Sequence, residues 1–168
     1  WMYGTIPSEL RSTDGIRPLQ YLNLYDNNFS GWLPTNLRLR RLVYFDVGKN
    51  NLSGPLPNDL GMTFADLRHL HLDHNRFTGT LPSTYIHNVG GGRLETLSVN
   101  DNRLTGMVPS QFRYKTIMVQ LALHNNLFDT DLAKDICELS VMERGEAPEI
   151  TADCNICSCK DIVCDHCD

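Results

Sequence analysis

The sequence predicts an α/β solenoid of stacked coils, on three observations. First, the frame L-x-x-L-x-L-x-x-N-x-[LF]-x-G-x-[LIV]-P fills Leu67 to Pro82. It recurs at Leu19 to Pro34, at Leu42 to Pro57 (with Phe45 and Val47 in Leu slots) and at Leu94 to Pro109. Second, a degenerate copy from Met118 to Ala133 keeps Leu121, Leu123, Asn126, Phe128 and Leu132 but loses the Gly and the Pro. Third, the Asn of the frame stands at 27, 50, 75, 102 and 126, a period in the twenties. Coils of that length bury their apolar edges only by stacking on one another.

Each frame position has a physical task. The L-x-L core is a short strand whose alternate side chains point inward, so Leu22 and Leu24 are expected to bury while Asn23 faces out. Asn75 and its equivalents follow the strand where the chain bends inward. There an amide can satisfy backbone groups of its own and the adjacent coil that would otherwise be buried without partners. The Gly four residues after the Asn permits a backbone state closed to other residues, and the Pro helps fix the next turn. Each buried Leu contributes roughly 1.5–3 kcal/mol.

The second half of the frame is sharper still. Ser30-Gly31, Ser53-Gly54, Thr78-Gly79 and Thr105-Gly106 each precede a [LIV]-Pro step. From Trp1 to about Ala133 this pattern resembles the plant-type leucine-rich repeats of receptor-kinase ectodomains and polygalacturonase-inhibiting proteins. The resemblance implies a right-handed arc with a concave parallel β-sheet, and 3₁₀ or irregular segments on the convex side. It also implies a recognition role with no particular ligand. Domain boundaries follow: residues 1–133 form the solenoid (a partial N-terminal coil and five more), and 134–168 a Cys-rich C-terminal cap.

Composition narrows the partners. A net charge of −5 with no basic stripe argues against nucleic acid. Arg38, Arg40 and Arg41 share one turn, which reads as a solvated bend between repeats. No run of 18 apolar residues spans a membrane. The chain opens on Trp1-Met2-Tyr3-Gly4, the second half of a repeat, and counting back from Gly4 puts a ladder Asn immediately before Trp1. Further chain upstream is therefore expected. Two acceptors for N-glycosylation, Asn28-Phe29-Ser30 and Asn51-Leu52-Ser53, sit at the same place in successive coils. The third coil runs long through Tyr85 to Gly92, and its three glycines read as a bulge, since no phosphate-loop spacing surrounds them.

All six cysteines lie at the C-terminal end: Cys137, Cys154, Cys157, Cys159, Cys164 and Cys167. Two readings stand. Paired C-x2-C knuckles suit zinc, but the knuckles are close together and leave Cys159 and Cys137 over. Three disulfides sealing the open end of a secreted solenoid agree with the even count, the position and the sequons. That reading is preferred, with Cys137 and Cys154 the expected staple. The stretch Thr151-Ala152-Asp153-Cys154 and the cluster after it also resemble the ends of leucine-rich repeat receptor-like proteins of diatoms and related algae.

Function is expected on the outward strand positions. In register these are Tyr21, Asn23, Tyr25 and Asp26; Tyr44, Asp46, Gly48 and Lys49; His69, His71, Asp73 and His74; Thr96, Ser98, Asn100 and Asp101; then Gln120, Ala122, His124 and Asn125. Tyrosines, a His/Asp band and small polar residues make a varied surface, and Tyr supplies contact area at low entropic cost. His69, His71 and Asp73 project together beside Asp46. Their spacing on an open strand suits a pH-sensitive contact patch better than a metal, so no metal and no cofactor is expected. No catalytic motif is present: neither G-x-S-x-G nor HExxH occurs. The expected function is a non-enzymatic extracellular or cell-surface recognition module for a protein, peptide or glycan. The alternatives are a structural subunit that packs end to end, and an ice-binding protein using the Ser30, Ser53, Thr78, Thr105 column. Variable coil length and Asp129 at the column's end fit the last poorly.

Overall fold

A computed structural model describes residues 1–10, 19–35, 37, 39–85, 93–114, 117–129 and 149–153. The cysteines, the long third-coil segment after Tyr85, Arg38 and residues 11–18 lie outside them, and so do the expected disulfides and most of the expected cap.

Two all-parallel sheets run the length of the stack. The first takes β2 (Tyr21–Asn23), β4 (Tyr44–Asp46), β6 (His69–His71), β8 (Thr96–Ser98), β10 (Gln120–Ala122) and β12 (Glu149–Thr151), in that order. Register is strict: Leu22, Phe45, Leu70, Leu97, Leu121 and Ile150 follow one another strand to strand. This is the strand column expected from the L-x-L positions. Ladder bonds continue past the strands, as in Leu24 N–H to Asp46 O at 2.8 Å and Leu72 N–H to Ser98 O at 2.8 Å. Leu22 and Leu24 are half-buried rather than buried, because β2 is the edge strand of the described sheet and is paired only on its β4 side.

The second sheet was not anticipated. β1 (Tyr3–Gly4), β3 (Asn28–Trp32), β5 (Asn51–Pro55), β7 (Arg76–Gly79), β9 (Arg103–Gly106) and β11 (Leu127–Phe128) pair in parallel along the side where the sequence suggested turns. Its strands carry the S/T-G half of the frame. Gly54 and Gly106 sit at φ +79° and +76°, where a side chain is strained. At Gly54 the indole of Trp32 also lies 2.8 Å from where a Cβ would stand, so the glycine gives Trp32 its seat. The rest of each coil is short: a helix α1 (Leu60–Thr63) and 3₁₀ turns at Ser83–Tyr85 and Ser110–Tyr114. Among the described residues no helix is long and apolar enough to cross a membrane.

The core is one column of buried Leu, Val and Phe between the sheets, with Phe45 and Phe64 meeting edge to face at 5.7 Å. Between the strand sides runs the Asn ladder. Asn75 Nδ2 donates to Val47, Leu72 and Asp73 carbonyls at 3.0, 3.3 and 3.0 Å, while its Oδ1 accepts Leu52 N–H at 2.9 Å. Asn27, Asn50, Asn102 and Asn126 repeat the pattern. The residue before each ladder Asn adopts a left-handed conformation: Asp26, Lys49, His74, Asp101 and Asn125, all at φ 50–55°. Asp, Asn and His tolerate that region best among side-chain-bearing residues.

β12 extends the first sheet into the segment assigned to the cap. Beyond it the Asp153 carboxylate accepts the N–H groups of Asn125 and Asn126 at 2.7 and 3.2 Å. In earlier coils the equivalent N–H groups bond to carbonyls of the next coil, as Asn75 does to Asp101. Asp153 thus closes the ladder with a side chain.

Tyr85 is 2% exposed and its hydroxyl has no hydrogen-bond partner among the described residues. Burial, and then the charge of Asp59, push its ionisation well up, so it stays neutral. Removing an unsatisfied buried hydroxyl is favourable. Tyr85→Phe is expected to raise stability by about 1 kcal/mol in urea titration.

Candidate recognition face

The outward positions of the first sheet form one continuous surface. At its N-terminal end Tyr21 and Tyr44, paired in register, stack with centroids 4.3 Å apart and planes 8° from parallel. Tyr44 is held from three sides: its ring meets His69 and His71 at 5.9 and 5.4 Å, and its hydroxyl donates to Asp46 Oδ2 at 2.9 Å. Burial, then the bond to Asp46 and that carboxylate's charge, push the phenol well above its usual range, keeping it a donor. Tyr21 and Tyr25 are exposed, at 59% and 47%. Lys49 lies 6.0 Å above the Tyr25 ring and 3.1 Å from Asp26, whose bond and charge raise the ammonium's pKa.

In the middle, imidazoles and hydroxyls pair across coils. His69 Nδ1 lies 3.0 Å from Thr96 Oγ1, His71 Nδ1 3.1 Å from Ser98 Oγ, and His124 Nδ1 2.9 Å from Thr151 Oγ1. The strand register puts each His level with the hydroxyl one coil on: His69 with Thr96, and His71 with Ser98. Among the described residues no group of three or more His, Cys, Asp or Glu is arranged around a metal position.

Asp101 is the electrostatic hub of the C-terminal half. Asn100 Nδ2 donates to its Oδ2 at 2.6 Å and Asn125 Nδ2 to its Oδ1 at 2.8 Å. His74 Nε2 and His124 Nε2 stand 3.5 and 3.8 Å from Oδ2. Burial pushes the carboxyl up, but the two amide bonds and the two imidazole charges outweigh it and hold Asp101 below its usual range. A depressed carboxyl stabilises the fold above the ordinary carboxylate range and loses that contribution as pH falls through its folded value. Asp101→Asn is therefore expected to flatten the loss of urea stability between neutral pH and about pH 3.

The candidate positions divide by accessibility. Tyr21, Asn23 and Tyr25 are exposed; Tyr44, His69, His71, Asp73 and His124 are half-buried. Asp46, Ser98 and Asn100 were expected among the outward, wetted positions and are instead 6–8% exposed. Gly48 N–H and the Tyr44 hydroxyl hold Asp46, His71 caps Ser98, and Asn100 is turned onto Asp101. These three serve first as supports for their neighbours. The sequence reading passed over the cross-coil pairs, which show as His and Ser/Thr 27 residues apart (His69 and Thr96, His71 and Ser98). It also passed over Glu95, which binds Arg68 at 2.7 Å and lies 3.9 Å from His69 Nε2. Asn28 and Asn51 begin β3 and β5 on the second sheet, the first exposed and the second half-buried.

The chain carries leucine-rich repeats, and its fold is a leucine-rich repeat solenoid. The Leucine Rich Repeat family model matches residues 18–39, 66–87 and 93–114. No curated protein matches by sequence. Among solved structures, the chain is similar to the ectodomain of the receptor kinase GASSHO1/SCHENGEN3 from Arabidopsis thaliana, solved with CASPARIAN STRIP INTEGRITY FACTOR 2. The TM-score is 0.71 at 29% identity, over 89% of this chain and 16% of that one. It is similar also to the Arabidopsis receptor kinase HAESA in complex with the peptide hormone IDA and the co-receptor SERK1. There the TM-score is 0.69 at 25% identity, over 79% and 21%. The plant peptide hormone receptor RGFR1, in complex with RGF2, shares the fold with a TM-score of 0.73 at 21% identity, over 91% and 24%. The chain spans less than a quarter of the length of each.

Proposed function

We propose that this chain is a non-enzymatic extracellular recognition module, which binds a peptide, protein or glycan on the outer face of its first sheet, the concave side of the arc. The observation that carries the reading is the exposed aromatic end of that face: Tyr21 and Tyr25 stand open on a sheet whose other positions are polar or supporting. Exposed aromatics rimmed by polar groups mark contact surfaces, and Tyr is a frequent anchor in them. The likeness to peptide-hormone-bound ectodomains supports it. On this reading Asn28 and Asn51 carry glycans and the cysteines are oxidised, both checked by intact mass with deglycosylation and alkylation.

The test is binding of arrayed extracellular peptides, proteins and glycans to the wild-type chain and to Tyr21→Ala, Tyr44→Ala and His71→Ala. Loss of about tenfold or more in at least one variant is expected. A ligand indifferent to all three sinks this face as the site. A second reading, a structural subunit, is favoured by the apolar side chains exposed along the second sheet, Tyr3 at 84%, Trp32 at 69% and Met107 at 64%. Sedimentation of the full-length protein decides it: a monomer at micromolar concentration argues against assembly.

A further inference from the structure

We propose that the occupant of this face is a basic peptide segment, one of whose Lys or Arg side chains is clamped between Asp46 and Asp73. The proposal rests on the recognition reading above and specifies its ligand.

Charge complementarity comes first. Among the described residues, the carboxylates Asp26, Asp46, Asp73, Asp101, Glu149 and Asp153 stand along the face against one ammonium, Lys49, which pairs with Asp26. Glu95 and Arg68, beside His69, pair with each other. Carboxylates therefore outnumber that ammonium along the face, and a negative surface attracts and orients a cationic ligand.

The clamp is built by Gly48. In the column just before the left-handed residue, the other coils place Tyr25, Asp73, Asn100 and His124; the second coil alone places a glycine. A Cβ there would lie 3.0 and 3.2 Å from the two oxygens of Asp73 and 3.2 Å from Asp46 Oδ1. The missing side chain thus lets carboxylates of successive coils converge on one spot. Among the described residues, Asp46 has no ion-pair partner, and that of Asp73 is His74 at 3.1 Å. Two like charges brought this close are relieved by a cation. Asp46 is already fixed by the Gly48 N–H and the Tyr44 hydroxyl, so the site is preorganised.

The aromatic side is independent of the charge. Tyr21 and Tyr25 are exposed beside the clamp, and Tyr44 is locked against both Tyr21 and Asp46. Aromatic faces next to a carboxylate pair suit the alkyl stem and planar head of Arg, or the stem of Lys. A neutral glycan would use the rings without the charge. A divalent ion needs more oxygen ligands than this pair offers once three of the four oxygens are bound internally.

The experiment selects a displayed library of random dodecapeptides against the folded chain at neutral pH. Affinities of the best peptide are then measured for wild type, Gly48→Ala, Asp73→Asn and Tyr21→Ala, each checked for an unchanged thermal midpoint. Enriched peptides are expected to carry Lys or Arg at one fixed position. Changing that residue to Gln, or the protein to Gly48→Ala or Asp73→Asn, should weaken binding about tenfold or more. If Gly48→Ala does not fold, Asp73→Asn decides. Peptides sensitive to Tyr21→Ala, but without a basic position and indifferent to Gly48→Ala and Asp73→Asn, overturn the clamp and leave the face as the binding site. Acidic peptides that bind only with added Ca²⁺ also overturn it. Peptides indifferent to every variant, or none enriched, overturn the clamp and the face together.

Discussion

Asn102→Ala is expected to lower the unfolding free energy by about 3–5 kcal/mol in urea titration. Asn102 is 9% exposed. Its Nδ2 donates to the carbonyls of Leu72, Val99 and Asn100 at 3.0, 3.1 and 3.2 Å, and its Oδ1 accepts Phe77 N–H at 2.9 Å. Truncation removes four hydrogen bonds, each worth about 0.5–1.5 kcal/mol net, and leaves Phe77 N–H unpaired at a further cost of about 1–3 kcal/mol. The carbonyls of Leu72, Val99 and Asn100 keep Asn75 Nδ2, Asn126 Nδ2 and His74 N–H as donors. The costs add incompletely, since one admitted water serves more than one group. Asn27 makes equivalent bonds at the more exposed end of the ladder, so Asn27→Ala is expected to cost markedly less. Equal effects at the two sites, or a loss below about 1 kcal/mol at Asn102, would contradict the ladder as a source of stability.

Phe45→Ala is expected to cost a similar amount, about 3–5 kcal/mol, for a different reason. The ring is 0% exposed, lies in β4 between Tyr44 and Asp46, and meets Phe64 edge to face. Its removal leaves a cavity directly behind the aromatic end of the face. Phe45 occupies a Leu slot of the frame, so Phe45→Leu should recover most of the loss, to within about 1.5 kcal/mol of wild type. Urea midpoints of the two variants check this, and equal midpoints would show that the site collapses around the missing ring.

What could be read beforehand was what each coil specifies by itself. The L-x-L strands, the inward Asn and the positive-φ glycine depend on a local sequence repeated many times, and all are present in the structure. The second sheet escaped because Ser-Gly and Thr-Gly steps before Pro read as turns. They become strands only when a neighbouring coil supplies hydrogen-bond partners. The same holds for side chains: Asp46 and Ser98 alternate outward as expected, yet Tyr44 and Gly48 hold the first and His71 covers the second. β12 shows the limit of periodicity. Ile150-Thr151-Ala152 has strand alternation, but Ile150 follows Leu121, its partner in the sheet, by 29 residues, outside the period set by the ladder. The algal resemblance rested mainly on cysteines outside the described residues.

The most direct test of the first sheet as a recognition face is histidine carbethoxylation, read residue by residue by mass spectrometry, with and without a saturating library-selected peptide. His69, His71 and His74 stand along the middle of that face, within reach of any chain crossing it. Bound peptide should slow modification of at least His69 and His71 several-fold. Unchanged rates at all three histidines under saturation would place the peptide elsewhere on the molecule and contradict the assignment.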